Sequence, residues 1–152
     1  MEGHRAIIQQ LRRRMTAAEY REIRQEWKTH SIAEDQRDIA GLMSTLTEDC
    51  VYETPQTGDR WEGKEGATRF YLELLTAFPD IHFDLQQIVI GPQGVFEEAH
   101  VTGTHLGKWR EHEATGKHIE FDVLILFPWD AERKKFTGER VYYFGLMEAM
   151  RL

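Results

Sequence analysis

Three acid–base side chains in the second half of the chain stand where they could do chemistry. His105 closes an apolar, β-rich segment, Val95–Leu106. An imidazole titrates near neutrality and could remove a proton alpha to a carbonyl. The competing reading is a structural histidine that hydrogen-bonds its own turn. Asp122 lies between Phe121 and Val123-Leu124. A carboxylate among such neighbours could be desolvated and act as an acid, or it could sit on the solvent face of an alternating strand. Glu139 adjoins Arg140, and adjacent strand residues point to opposite faces, so only one of the two can line an interior. The catalytic set expected is therefore His105, with Asp122 or Glu139 as its carboxylate partner.

Aromatic residues with polar ends suit a pocket for a planar, partly oxygenated ligand. Trp27, Tyr52, Trp61, Tyr71, His82 and Tyr142 are the candidates, although residues of this kind also build ordinary cores. Tyr52 or Tyr142 could donate to a developing oxyanion. His100, His105, His112 and His118 crowd into one hairpin, but they form no HxH or HxxxH pair, so no metal site is expected. There is no glycine fingerprint for a nucleotide and no nucleophile elbow, and no cofactor is implied.

The elements that must position these residues are legible from periodicity. Thr16-Ala-Ala-Glu19 is a capping box and starts a helix with Tyr20, Ile23 and Trp27 on its apolar face. Ser31-Ile-Ala-Glu34 repeats the pattern, which predicts a break near His30 and a second helix through Ile39, Leu42, Met43 and Leu46. A short strand over Asp49–Thr54 and a loop over Pro55–Arg60 follow. A third helix over Gly63–Phe78 is stopped by Pro79-Asp80. Ile81–Ile90 reads as a strand, then Gly91-Pro-Gln-Gly94 as a tight turn. Three long strand-like segments complete the pattern: Val95–Leu106, Lys117–Trp129 and Lys135–Phe144. Helices cluster early and strands late, giving an α+β domain in which three N-terminal helices cover a curved, cone-shaped antiparallel sheet.

Composition bounds the function. A chain of 152 residues with 41% apolar and 30% charged residues is one globular domain. The net charge of -7 argues against nucleic acid, and no apolar run approaches a membrane span. Cys50 is the only cysteine, in keeping with a cytoplasmic setting. Residues 1–14 carry four arginines against one glutamate, a net of +3, so the remainder carries -10. Residues 1–15 are expected to be a dispensable extension, with Met15 as a possible natural start, and 16–152 the single domain. Alternatively, Ile7, Ile8 and Leu11 form a partner-binding apolar side.

The order helix–helix–short strand–helix–four strands, with Leu46-Thr-Glu-Asp49-Cys-Val-Tyr52 after the second helix, resembles the nuclear transport factor 2-like (NTF2-like) superfamily. Gly103-Thr-His105-Leu-Gly107, Thr115-Gly-Lys117, Phe121–Phe127 and Gly138-Glu-Arg-Val-Tyr142 resemble its SnoaL-like polyketide cyclase branch, and the likeness covers roughly residues 20–145. It implies a cone with a central pocket, often dimeric through the outer face of the sheet. Its members include aldol-type cyclases, ketosteroid isomerase-like enzymes, dehydratases, epoxide hydrolases and non-enzymes. In the cyclases an Asp on the strand after the Thr-Gly-Lys/Arg turn is the acid/base. Ile125 takes that place here, and Asp122 and Glu120 have the opposite parity. Phe144 stands where a second Asp is common. The resulting expectation is acid/base catalysis on a carbonyl compound (isomerisation, cyclisation or dehydration) without cofactor. The alternative is a non-catalytic domain that binds a small hydrophobic or aromatic molecule or dimerises. Apolar residues on both sheet faces, Leu124 and Leu126 opposite Val123 and Ile125, predict a homodimer.

Overall fold

The computed structural model describes residues 2–151. Its elements are α1 (Glu2–Arg12), α2 (Ala17–Asp35), α3 (Ile39–Ser44), β1 (Leu46–Thr54), β2 (Asp59–Glu62), α4 (Gly63–Ala77), β3 (His82–Gly91), β4 (Gly94–Thr104), β5 (His118–Asp130), β6 (Lys135–Phe144) and α5 (Leu146–Met150). The strands form one open sheet in the order β2-β1-β6-β5-β4-β3. α2 lies against β3 and β4, α4 against β1 and β2, and α5 against β5. The α+β architecture is the expected one, with one parallel pair, β1 beside β6, in an otherwise antiparallel sheet. Register shifts interrupt the β1–β6, β3–β4 and β5–β6 ladders, and such irregularities bend strands and raise their twist.

The capping box at Thr16 forms: its side chain accepts from the Glu19 backbone N–H at 3.1 Å. The second box does not start a helix. α2 runs through His30 without a break, because Ile23, Trp27, His30 and Glu34 continue one stripe at helical spacing. Packing that stripe against the sheet outweighs a capping pattern whose backbone groups already have intrahelical partners. The helix ends at Gln36, and Asp38 caps α3 by accepting from Gly41 N–H at 3.0 Å. The loop expected over residues 55–60 gives up its end to β2, which pairs with β1 from Thr54↔Asp59 to Val51↔Glu62.

Alternation sorts the long strands into two faces. Ile119, Phe121, Val123, Ile125 and Phe127 of β5 are buried on the helix-covered face, and Glu120 and Asp122 are exposed on the other. The same parity turns Glu139 and Val141 inward and Arg140 and Tyr142 outward on β6. β1 contributes Cys50, Tyr52 and Thr54 to the core. β1 and β6 approach so closely at Gly138 (φ 130°) that a Cβ there would collide with the Val51 carbonyl oxygen. This close, parallel pairing sets Tyr52 beside Glu139.

α1 buries none of its residues. The segment after it touches the domain: Arg13 donates to the Pro92 carbonyl at 2.7 Å and pairs with Glu19, and Met15 packs against the core.

Candidate functional site

The centre of the cone holds a polar network around Glu139. β6 turns this carboxylate inward, α4 delivers Tyr71 on its buried face, β1 delivers Tyr52, and α2 delivers His30. All four are buried. Glu139 Oε1 accepts from the Tyr71 hydroxyl at 2.9 Å and the Tyr52 hydroxyl at 3.1 Å, and lies 2.9 Å from His30 Nε2. The two phenol oxygens are 2.9 Å apart. A buried carboxylate is tolerable only when paired and hydrogen-bonded, and this one is both.

The proton positions follow from the partners. The Thr45 hydroxyl donates to the Leu42 carbonyl at 2.7 Å, so its oxygen is an acceptor toward His30 Nδ1, also at 2.7 Å. Nδ1 therefore carries hydrogen, and Nε2 faces Glu139 Oε1. The Tyr71 hydroxyl lies 3.0 Å from the same Nε2, so this nitrogen has two oxygen partners. Every hydrogen bond of the Glu139 side chain falls on Oε1, which leaves Oε2 as the oxygen for other chemistry.

Two more carboxylates approach the network. Glu34, one turn after His30 on α2, is half-buried, and burial followed by the nearby charge of Glu139 pushes its carboxyl well above the ordinary range. Glu97 on β4 is buried and pushed up to about 7, first by burial and then by Glu139. It accepts a hydrogen bond from the Trp27 indole N–H at 3.3 Å. Burial, then Glu139, also raises the phenols of Tyr52 and Tyr71, so both remain neutral donors.

Glu34 and Glu139 line a small, partly enclosed chamber of about 20 Å³ with Tyr143, against an apolar wall that includes Phe70, Phe121 and Ile125. His30, Glu34 and Glu139 each place a ligand atom within 4.8 Å of the others. One imidazole and two carboxylates are a reasonable donor set for a divalent ion, which would replace the hydrogen bond now joining His30 and Glu139.

The expected site residues divide. Glu139, Tyr52 and Tyr71 meet at the centre, and Trp27 reaches its edge through Glu97. His105 and Asp122 do not join them. Asp122 is exposed on the outer sheet face, where it pairs with His100 Nδ1 at 2.8 Å, as its parity dictates. His105 is fully buried beyond the end of β4. It stacks on Phe78 with ring centres 5.2 Å apart, and its Nδ1 lies 3.1 Å from the Thr115 hydroxyl. Burial pushes its imidazole down, so it is neutral, and no carboxylate is among its partners. Trp61 is buried against Phe70 beneath the Arg110 guanidinium. His82 is exposed on the edge strand, and Tyr142 faces outward beside Leu124. The four hairpin histidines do not converge.

His30, Glu34, Thr45 and Glu97 were not singled out from the sequence. The signal that could have found His30 and Glu34 is the stripe Ile23–Trp27–His30–Glu34, which a predicted helix break at His30 cut in two.

Residues 22–138 match the family model described as SnoaL-like polyketide cyclase. The chain belongs to that family. No curated protein matches it by sequence. Solved structures similar to this SnoaL-like chain include a protein provisionally described as a SnoaL-like polyketide cyclase from Jannaschia sp. CCS1. It is 18% identical with a TM-score of 0.73, over 83% of this chain and 91% of that one. An NTF2-like protein of unknown function from Burkholderia pseudomallei K96243 is 10% identical with a TM-score of 0.71, over 86% and 98%. Bal32a, from a soil-derived mobile gene cassette, is 15% identical with a TM-score of 0.69, over 87% and 98%. At such identities the likeness is one of fold, and it makes this SnoaL-like domain NTF2-like in architecture. The wall position where the cyclase resemblance expects an acid is Ile125, and the inward carboxylates come instead from β6, α2 and β4.

Proposed function

We propose that this SnoaL-like protein is a cofactor-independent acid–base catalyst acting on a small carbonyl compound, by isomerisation, cyclisation or dehydration. The observation that carries this reading is a pair of carboxyl groups in one small chamber with different environments. Glu139 is held by three hydrogen-bond partners on Oε1, and Glu34 is pushed toward its neutral form. Carboxyl groups driven apart in this way can take the roles of base and acid. Glu139 Oε2 takes the proton alpha to the carbonyl, and the electron pair moves into the enolate. The neutral Glu34 carboxyl donates a hydrogen bond to the developing oxyanion. The proton then returns to carbon in an isomerisation, passes from Glu139 to the alkoxide formed when the enolate carbon attacks a second carbonyl in a cyclisation, or leaves with a β-hydroxyl as water in a dehydration. His30, Tyr52 and Tyr71 hold Glu139 in place. In this reading the base expected at His105 is Glu139, and His30 takes the orienting place expected of a carboxylate partner.

The test needs no knowledge of the substrate. A panel of aromatic ketones and β-dicarbonyl compounds is incubated in D2O, and loss of the alpha-proton signal is followed by proton NMR. The protein should accelerate exchange of at least one compound, Glu139→Gln should abolish the acceleration, and Glu34→Gln, which keeps an N–H donor, should retain part of it. Exchange no faster than in buffer for every compound that binds would leave the second reading, a non-catalytic ligand-binding or dimerisation domain. The smallness of the chamber, about 20 Å³, favours that alternative.

A homodimer through the outer sheet face belongs to the same proposal. Val89, Phe96 and Leu126 form one row across β3, β4 and β5, and Leu124 and Tyr142 lie beside it on β5 and β6. Val89 and Phe96 are exposed, and a contiguous apolar patch of this kind is suited to burial by a second copy. Sedimentation as a monomer at micromolar concentration would remove the dimer. Cys50 is free and buried, with its thiol pushed up to about 11 mainly by burial, which is compatible with a cytoplasmic setting. No helix is long and apolar enough to cross a membrane among the described residues.

A further inference from the structure

Two cavities of this molecule meet at one side chain. Tyr143 lines the chamber of about 20 Å³ in front of Glu139. It also lines a surface groove of about 890 Å³ between the β1–β2 turn, the 105–117 loop and α5. Its ring is the partition between them, packed against Phe121 on one side and Trp109 on the other, with ring centres 6.0 Å and 6.3 Å away. The chamber has room for about one water molecule. A carbonyl with its flanking carbons passes from the groove to the chamber when that ring turns aside.

The backbone under the ring is clamped. The Gln56 side-chain amide donates to the Tyr143 carbonyl at 2.9 Å, and its oxygen accepts from the Tyr143 N–H at 2.7 Å. The amide thus acts as a neighbouring strand for the end of β6, and movement of the partition is confined to side-chain rotation.

The groove has the size of a small-molecule site, which typically spans roughly 300–1,000 Å³. Trp109, Leu146 and Met147 give it apolar surface, and Asp59, Glu111 and Glu148 give it acidic groups. Its one guanidinium, Arg110, is already occupied by Asp59 at 2.6 Å and Glu73 at 3.2 Å. An anionic ligand would meet acids here, while a neutral planar one would meet aromatic and aliphatic surface with polar groups at its edge.

We propose that this groove holds the body of the ligand, that the ligand is a neutral planar aromatic molecule carrying oxygen at its edge, and that the Tyr143 side chain is the gate to Glu139. The gate's purpose rests on the carbonyl reading above. The groove stands independently of it.

The experiment titrates 2-naphthol into the full chain and follows tryptophan fluorescence, since Trp109 forms part of the groove. Saturable binding is expected. Met147→Arg, at an exposed side chain, should weaken it about tenfold or more by placing a charge against an apolar ligand. 2-Naphthalenesulfonate should bind at least about tenfold more weakly than 2-naphthol. Equal affinities in either comparison overturn the groove or the ligand class. In stopped flow a fast concentration-dependent phase should precede a slower concentration-independent one, and the slow phase should vanish in Tyr143→Ala and Tyr143→Leu. A single phase in the unmodified protein, or a slow phase surviving in a folded Tyr143 variant, overturns the gate. Failure of ketone exchange with the groove results intact would remove the catalytic reading alone.

Discussion

Replacing Glu97 by Gln should stabilise this protein at alkaline pH. Glu97 is buried on β4, and its carboxyl is raised from 4.5 to about 7, by burial first and by the Glu139 charge second. In the unfolded chain it ionises near 4.5. Between these two values the folded protein holds a proton that the unfolded chain has released, so stability falls as pH rises. The displacement of roughly 2–3 pH units corresponds to about 3 kcal/mol, fully lost only above the folded value. Gln can still accept the Trp27 N–H and carries no charge, so Glu97→Gln removes this penalty. Urea unfolding from pH 5 to 8.5 is the assay. The unmodified protein should lose about 3 kcal/mol more across that range than the variant. At pH 8 the variant should melt about 6–12 °C higher, at roughly 2–4 °C per kcal/mol for a domain of this size. Parallel stability curves would refute the argument, because a Glu97 that ionises at an ordinary pH cannot sit desolvated beside Glu139. Glu34, raised for the same reasons, makes the residual slope of the variant run in the same direction.

Two further substitutions probe the network. Thr45→Val removes the acceptor of the His30 Nδ1–H and should cost about 1–3 kcal/mol for an unpaired buried donor, with Thr45→Ser near the unmodified value. Nitrogen NMR of the imidazole should show loss of the Nδ1–H form in the valine variant, and an unchanged spectrum would mean Thr45 does not set the tautomer. Tyr71→Phe removes a hydroxyl that donates to Glu139 and contacts Tyr52. Urea unfolding should show a loss of about 1.5–3 kcal/mol, the range for hydrogen bonds to charged groups, and a change below about 0.5 kcal/mol would show that the network does not depend on it.

Much of the scaffold is written locally. The three long strands are visible as β-branched and aromatic runs, and their boundaries lie close to those of β4, β5 and β6 because Gly, Asp and charge punctuate them. The capping box at Thr16 and the apolar face of α4 are equally local. Parity alone separates Ile125 from Asp122 and Glu139 from Arg140, since side-chain period along a strand is a property of the backbone. These features establish the fold and the direction in which each strand residue points.

Which inward residues meet was decided only by tertiary structure. His30 and Glu139 are 109 positions apart, and Tyr52 and Glu139 are 87 apart. Their contact depends on β1 lying parallel to β6, and alternation says which face a residue takes without saying which strand lies next to it. His105 looked like a base from its type and its place after a strand, yet packing against Phe78 buries it away from any carboxylate. His30 looked like the end of a helix, yet the apolar stripe running through it bonds α2 to the sheet and carries the imidazole to the centre. Local pattern is set by a few neighbouring residues, whereas the site is the sum of burial and charge from four elements that only the folded chain brings together.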